Sequence, residues 1–259
     1  MPLLALPAFS DNYIWVLTES MPIESTRRAL IVDPGDAQPV LDGLGDDMQP
    51  AGILLTHHHD DHIGGVPALL ERWPGLPVIA PHDDRIATAT RRVGEGDRVE
   101  LAGWSFEVLE IPGHTRSHIA FFGHGHLFCG DTLFSLGCGR LFEGSPMQML
   151  TSLDKLAALP EDTRVCCGHE YTVANAAFAS AADADNAALR DRSAQAAALR
   201  QSWQPTLPST LANERAANPF LRVDTPAIRV AVAQRLGREP ADRVETFAEL
   251  RRWKDGFRA

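Results

Sequence analysis

Short apolar runs, separated by glycine, proline and aspartate, set the pattern of the chain from about residue 12 to residue 168. Runs of this length that end in turn residues are typical of buried β-strands followed by loops. We predict strands in the segments YIWVL, ALIVDPG, GILLTH, PVIAP, FEVLEIPGH, AFFGHGHLFCGD and RVCCGH. Two helices fit between these strands. One covers Val66–Trp73, where apolar residues recur at i, i+3, i+4 and i+7, and the other covers Met149–Leu159.

The last third of the chain has a helical pattern instead. Thr172–Trp203 is rich in alanine and contains no proline or glycine, which predicts one long helix. A second helix is expected from Pro226 to about Gly237, and a third over Pro240–Asp255. The fold class that follows is α+β, with an α/β domain over residues 1–169 and a smaller, all-helical domain over residues 170–259.

Composition limits the partners of the chain. A formal net charge of −10 over 259 residues disfavours a broad surface for nucleic acid or for an anionic membrane. No apolar stretch approaches the roughly 20 residues that a membrane-spanning helix needs, and the N-terminus lacks the positive region of a secretory signal. The four cysteines have no disulfide-like spacing. We therefore expect a cytoplasmic protein with reduced thiols, and we expect it to be a monomer.

The segment His57–His62, HHHDDH, places four histidines and two aspartates between an apolar run and two glycines. A plain polar loop explains this concentration of metal-binding side chains poorly. A zincin-type helix needs a glutamate directly after its first histidine, and position 59 is histidine instead. If the backbone stays extended after the strand, alternation points His57, His59 and Asp61 to one side. His57 and His59 would then bind one metal, and Asp61 with His62 would reach a second, zinc or a similar first-row ion.

Three further candidate ligands share one sequence context. His114, Asp131 and His169 each follow an apolar run on a loop beside glycine. Loops at the ends of strands are where rigid scaffolds place functional groups. The remaining histidines lack this context, and we interpret them as structural or surface residues: His82, His118, His124 and His126.

Four motifs, in this order, resemble the metallo-β-lactamase superfamily: THHHDDH, PGHT, GDTLF and CGHEYT. Other motifs narrow the resemblance to the glyoxalase II (hydroxyacylglutathione hydrolase) family, and the resemblance covers essentially the whole chain. These motifs are DNYIWVL, GCGRLFEG, LPSTL with NPFLR, and RRWKDGF. The resemblance implies an αββα sandwich followed by a smaller all-α domain, a site for two divalent metals, and hydrolysis of a thioester.

The resemblance also implies a role for each candidate ligand. The metal ligands would be His57, His59 and His114 for the first metal, Asp61, His62 and His169 for the second, and Asp131 as the bridge between them. Asp61 and Asp131 would act in catalysis by orienting the hydroxide that two metals generate from water at neutral pH. Zinc is the expected metal, although iron and manganese tolerate the same ligands.

The implied substrate is S-D-lactoylglutathione, a 2-hydroxyacyl thioester that the family hydrolyses to D-lactate and glutathione in the last step of methylglyoxal detoxification. A thiol with a pKa near ~8.5 leaves as a thiolate without a strong general acid, and no general acid is evident in the motifs. Glutathione brings carboxylates that an acidic protein must attract locally. The resemblance assigns its binding to Arg140, Phe142, Tyr171, Arg251 and Lys254.

Three positions depart from the family pattern. Asp60 stands where an aromatic residue is frequent, and it is expected to alter the hydrogen bonds around the ligands. Arg140 replaces a frequent lysine and keeps the positive charge. Phe142 replaces a frequent tyrosine, so a contact through the hydroxyl at this position is lost.

Other functions of the superfamily fit the chain less well. A β-lactamase would usually be exported, and the net charge of −10 disfavours a tRNA-processing nuclease. A persulfide dioxygenase uses a single iron, and a metal-binding module without catalysis would not need the full set of ligands. Metal content, measured together with thioester hydrolysis, distinguishes these alternatives.

Overall fold

The computed structural model describes residues 2–20 and 26–258, and the chain divides into two units. The units consist of Met1–Glu110 with Ser117–Gly130, and of Ile111–Arg116 with Asp131–Ala259. The short segments that carry His114 and Asp131 therefore belong with the C-terminal helices. This division differs from the predicted boundary near residue 170, which stays a prediction.

A mixed sheet dominates the described part of the first unit. In sheet order its strands are β1 (Leu3–Ala8), β2 (Asn12–Thr18), β3 (Arg27–Val32), β4 (Met48–Leu54), β5 (Val78–Pro81) and β6 (Arg91–Val93). The helices of this unit are α1 (Gln38–Gly43), α2 (Asp60–Ile63) and α3 (Val66–Arg72). Val40 of α1 and Leu69 of α3 pack with alternate strand residues, such as Ile31 and Ile53, in one apolar core.

The strand directions bring polar residues to one edge of this sheet. β3, β4 and β5 run parallel and end at that edge, whereas β2 is antiparallel to β3 and begins there. Asn12 opens β2, Asp33 directly follows β3, and the segment from Thr56 to His62 follows β4. The apolar sheet thus acts as a rigid support for the polar residues at its edge.

A run of antiparallel strands completes the first unit. These strands pair in chain order and are β7 (Arg98–Leu101), β8 (Trp104–Glu110), β9 (Ile119–Gly123) and β10 (His126–Gly130). Trp104, Phe106 and Val108 alternate into buried positions along β8. β8 and β10 end at the same edge because each is antiparallel to β9. The chain reaches His114 and Asp131 shortly after these two strand ends.

Helices dominate the second unit. They are α4 (Pro146–Ala157), α5 (Thr172–Ala182), α6 (Ala187–Gln201), α7 (Leu211–Ala217), α8 (Pro226–Leu236) and α9 (Arg243–Gly256), with a 3-10 helix over Pro219–Leu221. The strands are β11 (Leu133–Phe134), β12 (Gly137–Cys138), β13 (Arg164–Cys167) and β14 (Ser209–Thr210). β11 pairs with β12 as a short hairpin, and β13 pairs with β14.

The prediction of one long helix over Thr172–Trp203 is wrong, because α5 and α6 are separate helices. Asn186 accepts a hydrogen bond from the Leu189 backbone N–H at 3.1 Å and so caps the start of α6. Its amide also donates to Asp183 at 2.8 Å, and Asp183 accepts from Arg222 at 2.9 Å. Alanine content alone did not reveal this break, although its residues are of the types that compete with helical hydrogen bonds.

The last helix begins later than predicted. Asp242 caps α9 by accepting from the Glu245 backbone N–H at 2.8 Å, so the helix starts at Arg243 rather than at Pro240. The predicted helices near Val66, Met149 and Pro226 are confirmed as α3, α4 and α8. In the part of the chain that the structure describes, no helix has the length and apolar character of a membrane span.

Candidate functional site

The segment HHHDDH leaves β4 as extended backbone and then turns into a helix. His59 has φ −64° and ψ 142° and precedes the short helix α2, which begins at Asp60. Asp60 and Asp61 occupy the first turn of α2, where negative charge is favoured. The predicted alternation of side chains therefore extends only as far as His59. Asp61, which we expected on the same side as His57 and His59, lies in the first turn of a helix instead.

His57 and His59 have the spacing of two ligands on one ion. The Nε2 of His57 and the Nδ1 of His59 are 3.2 Å apart. Two nitrogens that each lie about 2.0–2.1 Å from a tetrahedral zinc are about 3.3 Å apart, so the geometry fits. The other ring nitrogen of His57, Nδ1, lies 3.1 Å from the Thr56 hydroxyl, which fixes the orientation of the imidazole.

Asp33 is a candidate functional residue that the sequence analysis missed. Its buried carboxylate accepts from the Thr56 backbone N–H at 2.8 Å and from the Thr56 hydroxyl at 2.7 Å. The same carboxylate lies 3.0 Å from Nδ1 of His62, which selects the tautomer whose Nε2 carries the lone pair. Asp33, His57 and His62 present ligand atoms within 4.8 Å of one another. A signal was available, since Asp33 ends the apolar run of ALIVDPG in the same way as the predicted ligands.

Asp61 is held in place from two directions. The amide of Asn12 donates to the Asp61 carboxylate at 3.0 Å and to its backbone carbonyl at 3.2 Å. Gly35 lies against the same residue, and a Cβ at that position would collide with the Asp61 carbonyl and approach the Phe9 ring to 2.9 Å. The DNY motif of the sequence thus supplies Asn12 as an orienting residue for Asp61.

A second cluster of acidic and imidazole groups lies in the second unit. Oδ2 of Asp131 is 3.2 Å from Nε2 of His169 and 3.6 Å from Nε2 of His114, and all three residues are buried. Nδ1 of His114 lies 2.9 Å from the Arg140 carbonyl oxygen, so it donates there and Nε2 carries the lone pair. Imidazole nitrogens and a carboxylate are ligands that zinc and similar first-row metals accept, so this cluster is compatible with metal binding.

Gly139 packs directly on this cluster. A Cβ at Gly139 would overlap the Asp131 carbonyl oxygen and lie 3.2 Å from Nδ1 of His114. The Gly139 backbone N–H also donates to the Thr132 carbonyl at 3.2 Å. The segment from Asp131 to Arg140 therefore folds back on itself around the two ligand candidates.

Two predicted substrate residues are aromatic neighbours of these ligands. The Tyr171 ring stacks on His169 with a centroid distance of 4.7 Å, and the Phe142 ring meets His114 edge-on at 5.2 Å. Phe142 is 63% exposed, and Tyr171 is also at the surface. Both rings can therefore contact a bound molecule next to the cluster.

The three predicted cations lie near one another but in different environments. The side chain of Arg140 is 62% exposed, and its Nε lies 3.5 Å from the Asp255 carboxylate. Burial, together with the charge of Arg251, lowers the pKa of Lys254 to about 8. Arg251 is only 5% exposed, and it donates to the Cys138 carbonyl at 2.7 Å and to Asp255 at 3.0 Å. The Arg251 side chain thus supports the protein itself, whereas Arg140 faces solvent.

Of the histidines interpreted as structural or surface residues, His118 and His126 are buried, whereas His82 and His124 are exposed. His118 is buried and stacks on His57 at 4.5 Å, which adds to the support of that ligand candidate. Burial raises the pKa values of the Cys166 and Cys167 thiols, so neither is a thiolate nucleophile near neutral pH. Both cysteines are buried among apolar residues and belong to the core.

Comparison with known proteins places the chain in a family. The sequence model of the metallo-beta-lactamase superfamily matches residues 15–169, and that of the hydroxyacylglutathione hydrolase C-terminus matches residues 170–257. A protein of Stenotrophomonas maltophilia named hydroxyacylglutathione hydrolase is 59% identical, with 100% of both chains covered. The relative of that name from Xylella fastidiosa strain M23 is 58% identical over 99% of this chain and 98% of its own.

Solved structures share the fold. That of ETHE1 from Myxococcus xanthus has a TM-score of 0.64 and 25% identity, covering 99% of this chain and 91% of that one. TTHA1623, solved in a di-iron-bound form, has a TM-score of 0.50 and 30% identity, covering 65% of this chain and 92% of that one. The chain, an αββα metallo-β-lactamase domain followed by a helical domain, therefore belongs to the hydroxyacylglutathione hydrolase family of the metallo-β-lactamase superfamily.

Proposed function

We propose that this protein hydrolyses S-(2-hydroxyacyl)glutathione thioesters, with S-D-lactoylglutathione as the substrate, in the last step of methylglyoxal detoxification. The observation that carries the proposal is the Asp131 carboxylate between His114 and His169, in a chain that also presents the HHHDDH segment. The relatives named hydroxyacylglutathione hydrolase cover nearly the whole chain and support the choice of substrate.

The histidines and aspartates are compatible with a dinuclear metal site. We assign His57, His59 and His114 to the first metal, Asp61, His62 and His169 to the second, and Asp131 to both. Imidazole and carboxylate ligands suit zinc best, and iron and manganese are the alternatives. The di-iron form of TTHA1623 shows that a related fold holds two metals.

When bound, two such metals supply a water of lowered pKa and a Lewis acid for the thioester carbonyl. The residues of the chain provide the alignment. Asp61, held by Asn12, accepts a hydrogen bond from the attacking water and so directs the water oxygen toward the carbonyl carbon. The attacking water would first lose a proton to solvent, and the resulting hydroxide would add to the carbonyl carbon to form the new C–O bond. The C–S bond would then break, which releases the 2-hydroxy acid and glutathione as a thiolate. No general acid is needed, because a thiol of pKa near ~8.5 leaves readily as its anion.

The glutathione part is assigned to the cations and aromatic rings beside the second cluster. Arg140 and Lys254 offer positive charge to its carboxylates, and Tyr171 and Phe142 offer ring surfaces next to His169 and His114. Arg251 contributes to glutathione binding indirectly. It donates hydrogen bonds to Asp255 and to the Cys138 carbonyl, and these bonds position the neighbouring Arg140 and Lys254. The buried free thiols are consistent with action in the reducing cytoplasm, and we infer that the protein acts as a monomer.

Metal content and hydrolysis, measured on the same preparations, test the proposal. The wild-type protein is expected to carry about two metals per chain and to hydrolyse S-D-lactoylglutathione faster than a neutral acyl thioester. Asp131→Ala should lose both metals, His114→Ala should lose mainly one, and the surface variant His124→Ala should keep both. One iron per chain with no thioester hydrolysis would favour the dioxygenase alternative and overturn the proposal.

A further inference from the structure

The loop that carries Asp131 is buried, although much of it is not regular secondary structure. We call residues 131–140 the Asp131 loop; they include the hairpin of β11 and β12. Leu136, at the tip of the hairpin, is buried and has φ 59°, a backbone conformation that is costly for leucine. Backbone N–H and C=O groups in such a buried turn need partners from elsewhere in the protein.

Polar side chains of the helical part supply these partners. Glu214 of α7 accepts from the Leu136 backbone N–H at 2.8 Å and from the Ser135 hydroxyl at 2.9 Å. The Asn218 amide donates to the carbonyls of Phe134 and Gly137, each at 3.0 Å. Two further donors reach the same loop. Asn175 of α5 donates to the Ser135 carbonyl at 3.0 Å, and Arg251 of α9 donates to the Cys138 carbonyl at 2.7 Å.

Glu214 is the centre of this arrangement. Its side chain is 0% exposed, and besides the loop it accepts from the Ser209 hydroxyl and from the Asn218 amide at 3.1 Å. A buried carboxylate is costly unless its oxygens are hydrogen-bonded, so a residue of this kind at this position requires an explanation. The contacts of Glu214 with the Asp131 loop supply one, because they fix the strained tip at Leu136.

We propose that Glu214 is a positioning residue for the metal centre, which it influences by holding the Asp131 loop in its folded form. The loop carries Asp131 at its start and, at its end, the Arg140 carbonyl that orients His114. Relaxation of the hairpin would therefore misplace one ligand and release the orientation of another. The inference rests on the proposed function, because it takes Asp131 and His114 as metal ligands.

Glu214→Gln is the direct test, with cobalt(II) added to the metal-free full-length protein as the probe. The Leu136 N–H and the Asn218 amide both donate to Oε2 of Glu214, and the Ser135 and Ser209 hydroxyls both donate to Oε1. The amide of glutamine has one acceptor atom, so it can accept from only one of these two pairs of donors. We expect cobalt affinity to fall by about 10–100-fold, with an altered cobalt absorption spectrum per folded molecule. Glu249→Gln is the matched control, since Glu249 is also buried on a helix of this unit but pairs with Arg252 and Arg235. It should bind cobalt like the wild type.

The outcomes separate this inference from the proposed function. If Asp131→Ala, measured in parallel, keeps full cobalt binding, the assignment of the ligands itself fails. If Asp131→Ala loses cobalt but a folded Glu214→Gln binds with unchanged affinity and spectrum, the positioning role of Glu214 is overturned. If Glu214→Gln does not fold, Asn175→Ala removes one donor to the loop instead. An unchanged cobalt affinity in that variant overturns the inference, and a weaker affinity supports it.

Discussion

At the scale of single residues, the carboxylate of Asp33 links the backbone before His57 to the ring of His62. Replacing it by asparagine keeps the size of the side chain but replaces one acceptor oxygen by an amide nitrogen. The side chain can then no longer accept from both the Thr56 backbone N–H and Nδ1 of His62. We expect Asp33→Asn to weaken metal binding by about 10–100-fold, because His62 loses the partner that sets its tautomer. A titration of the metal-free protein against a competing chelator measures the loss.

Asp83→Asn is the control for this variant. Asp83 is also a buried aspartate just past a strand of the same sheet, but it bonds to Arg85 and Ser117. From the HHHDDH segment it approaches His58, which is not an assigned ligand, at 3.4 Å. Burial acts to raise its pKa, and the hydrogen bonds from these partners hold the pKa well below its ordinary value. Equal losses of metal affinity in Asp33→Asn and Asp83→Asn would show that any buried aspartate at this edge has the same effect.

Lys254 gives a prediction for pH dependence. Its pKa lies near 8 instead of 10.5, chiefly because of burial, so the ammonium form is populated below about pH 8 and is lost above it. The KM for S-D-lactoylglutathione should therefore rise as the pH passes through 8, whereas the KM for a neutral thioester should not. Steady-state kinetics between pH 6.5 and about 9.5 would show the difference, because the ionised lysine is the form that attracts a carboxylate.

Variants at the same position sharpen the test. Lys254→Ala should raise the KM for the glutathione thioester about tenfold with little change in kcat, since a remote contact holds ground state and transition state alike. Lys254→Arg keeps its charge throughout this pH range and should lose the rise in KM above pH 8. A rise that persists in Lys254→Arg would assign the pH effect to another group.

The residues of the site differ in how far the sequence could predict them. His57, His59, Asp131 and His169 stand out as candidate ligands because histidine and aspartate recur just after apolar runs in the sequence. Asp33 was missed because a lone aspartate before proline and glycine is also an ordinary turn. The burial of Arg251 was missed for another reason, since its partner, the Cys138 carbonyl, is remote in sequence.

At the scale of elements, the break between α5 and α6 depends on one cap. Asn186→Ala should reduce the free energy of unfolding by about 1 kcal/mol, because the first turn of α6 loses the acceptor for the Leu189 N–H. Urea denaturation of the metal-loaded protein measures this loss. Ser180→Ala, an exposed serine inside α5, serves as the control and should change stability by less than about 0.5 kcal/mol.

Helices and strands whose apolar residues recur at a regular spacing could be predicted from the sequence. Elements that are held by side chains distant in sequence could not. α3, α4 and α8 have local signals at their ends, such as a proline in the first turn. The hairpin of β11 and β12 has only two residues in each strand and is held by side chains from distant helices. The residues near Leu133 in the sequence give no sign of these distant partners, so the hairpin could not be predicted from them.

At the scale of the whole molecule, the proposed metals should contribute to stability. The assigned ligands are distant in sequence and are not preorganised in the unfolded chain, so bound metal favours the folded state. At a free metal concentration of 100 times the dissociation constant, this effect is about 2.7 kcal/mol. Adding a chelator should therefore lower the melting temperature, measured by circular dichroism, and restoring the metal should reverse the shift.

The metal-free variant Asp131→Ala is the reference for that experiment. Because it lacks the bridging ligand, its melting temperature should not respond to the chelator. A shift of the same size in Asp131→Ala would mean that the chelator acts on some other property of the protein.

Gly35 and Gly139 matter for recognising inactive copies of such an enzyme among genome sequences. Each lies so close to an aspartate assigned to the metals, Asp61 or Asp131, that even one added methyl group would collide with its carbonyl. A homologue with alanine at either position could retain every histidine and aspartate of the ligand motifs and still be unable to assemble the site. Surveys that separate working genes from decayed duplicates by ligand motifs alone would misclassify it, and inspection of the two glycines would correct them.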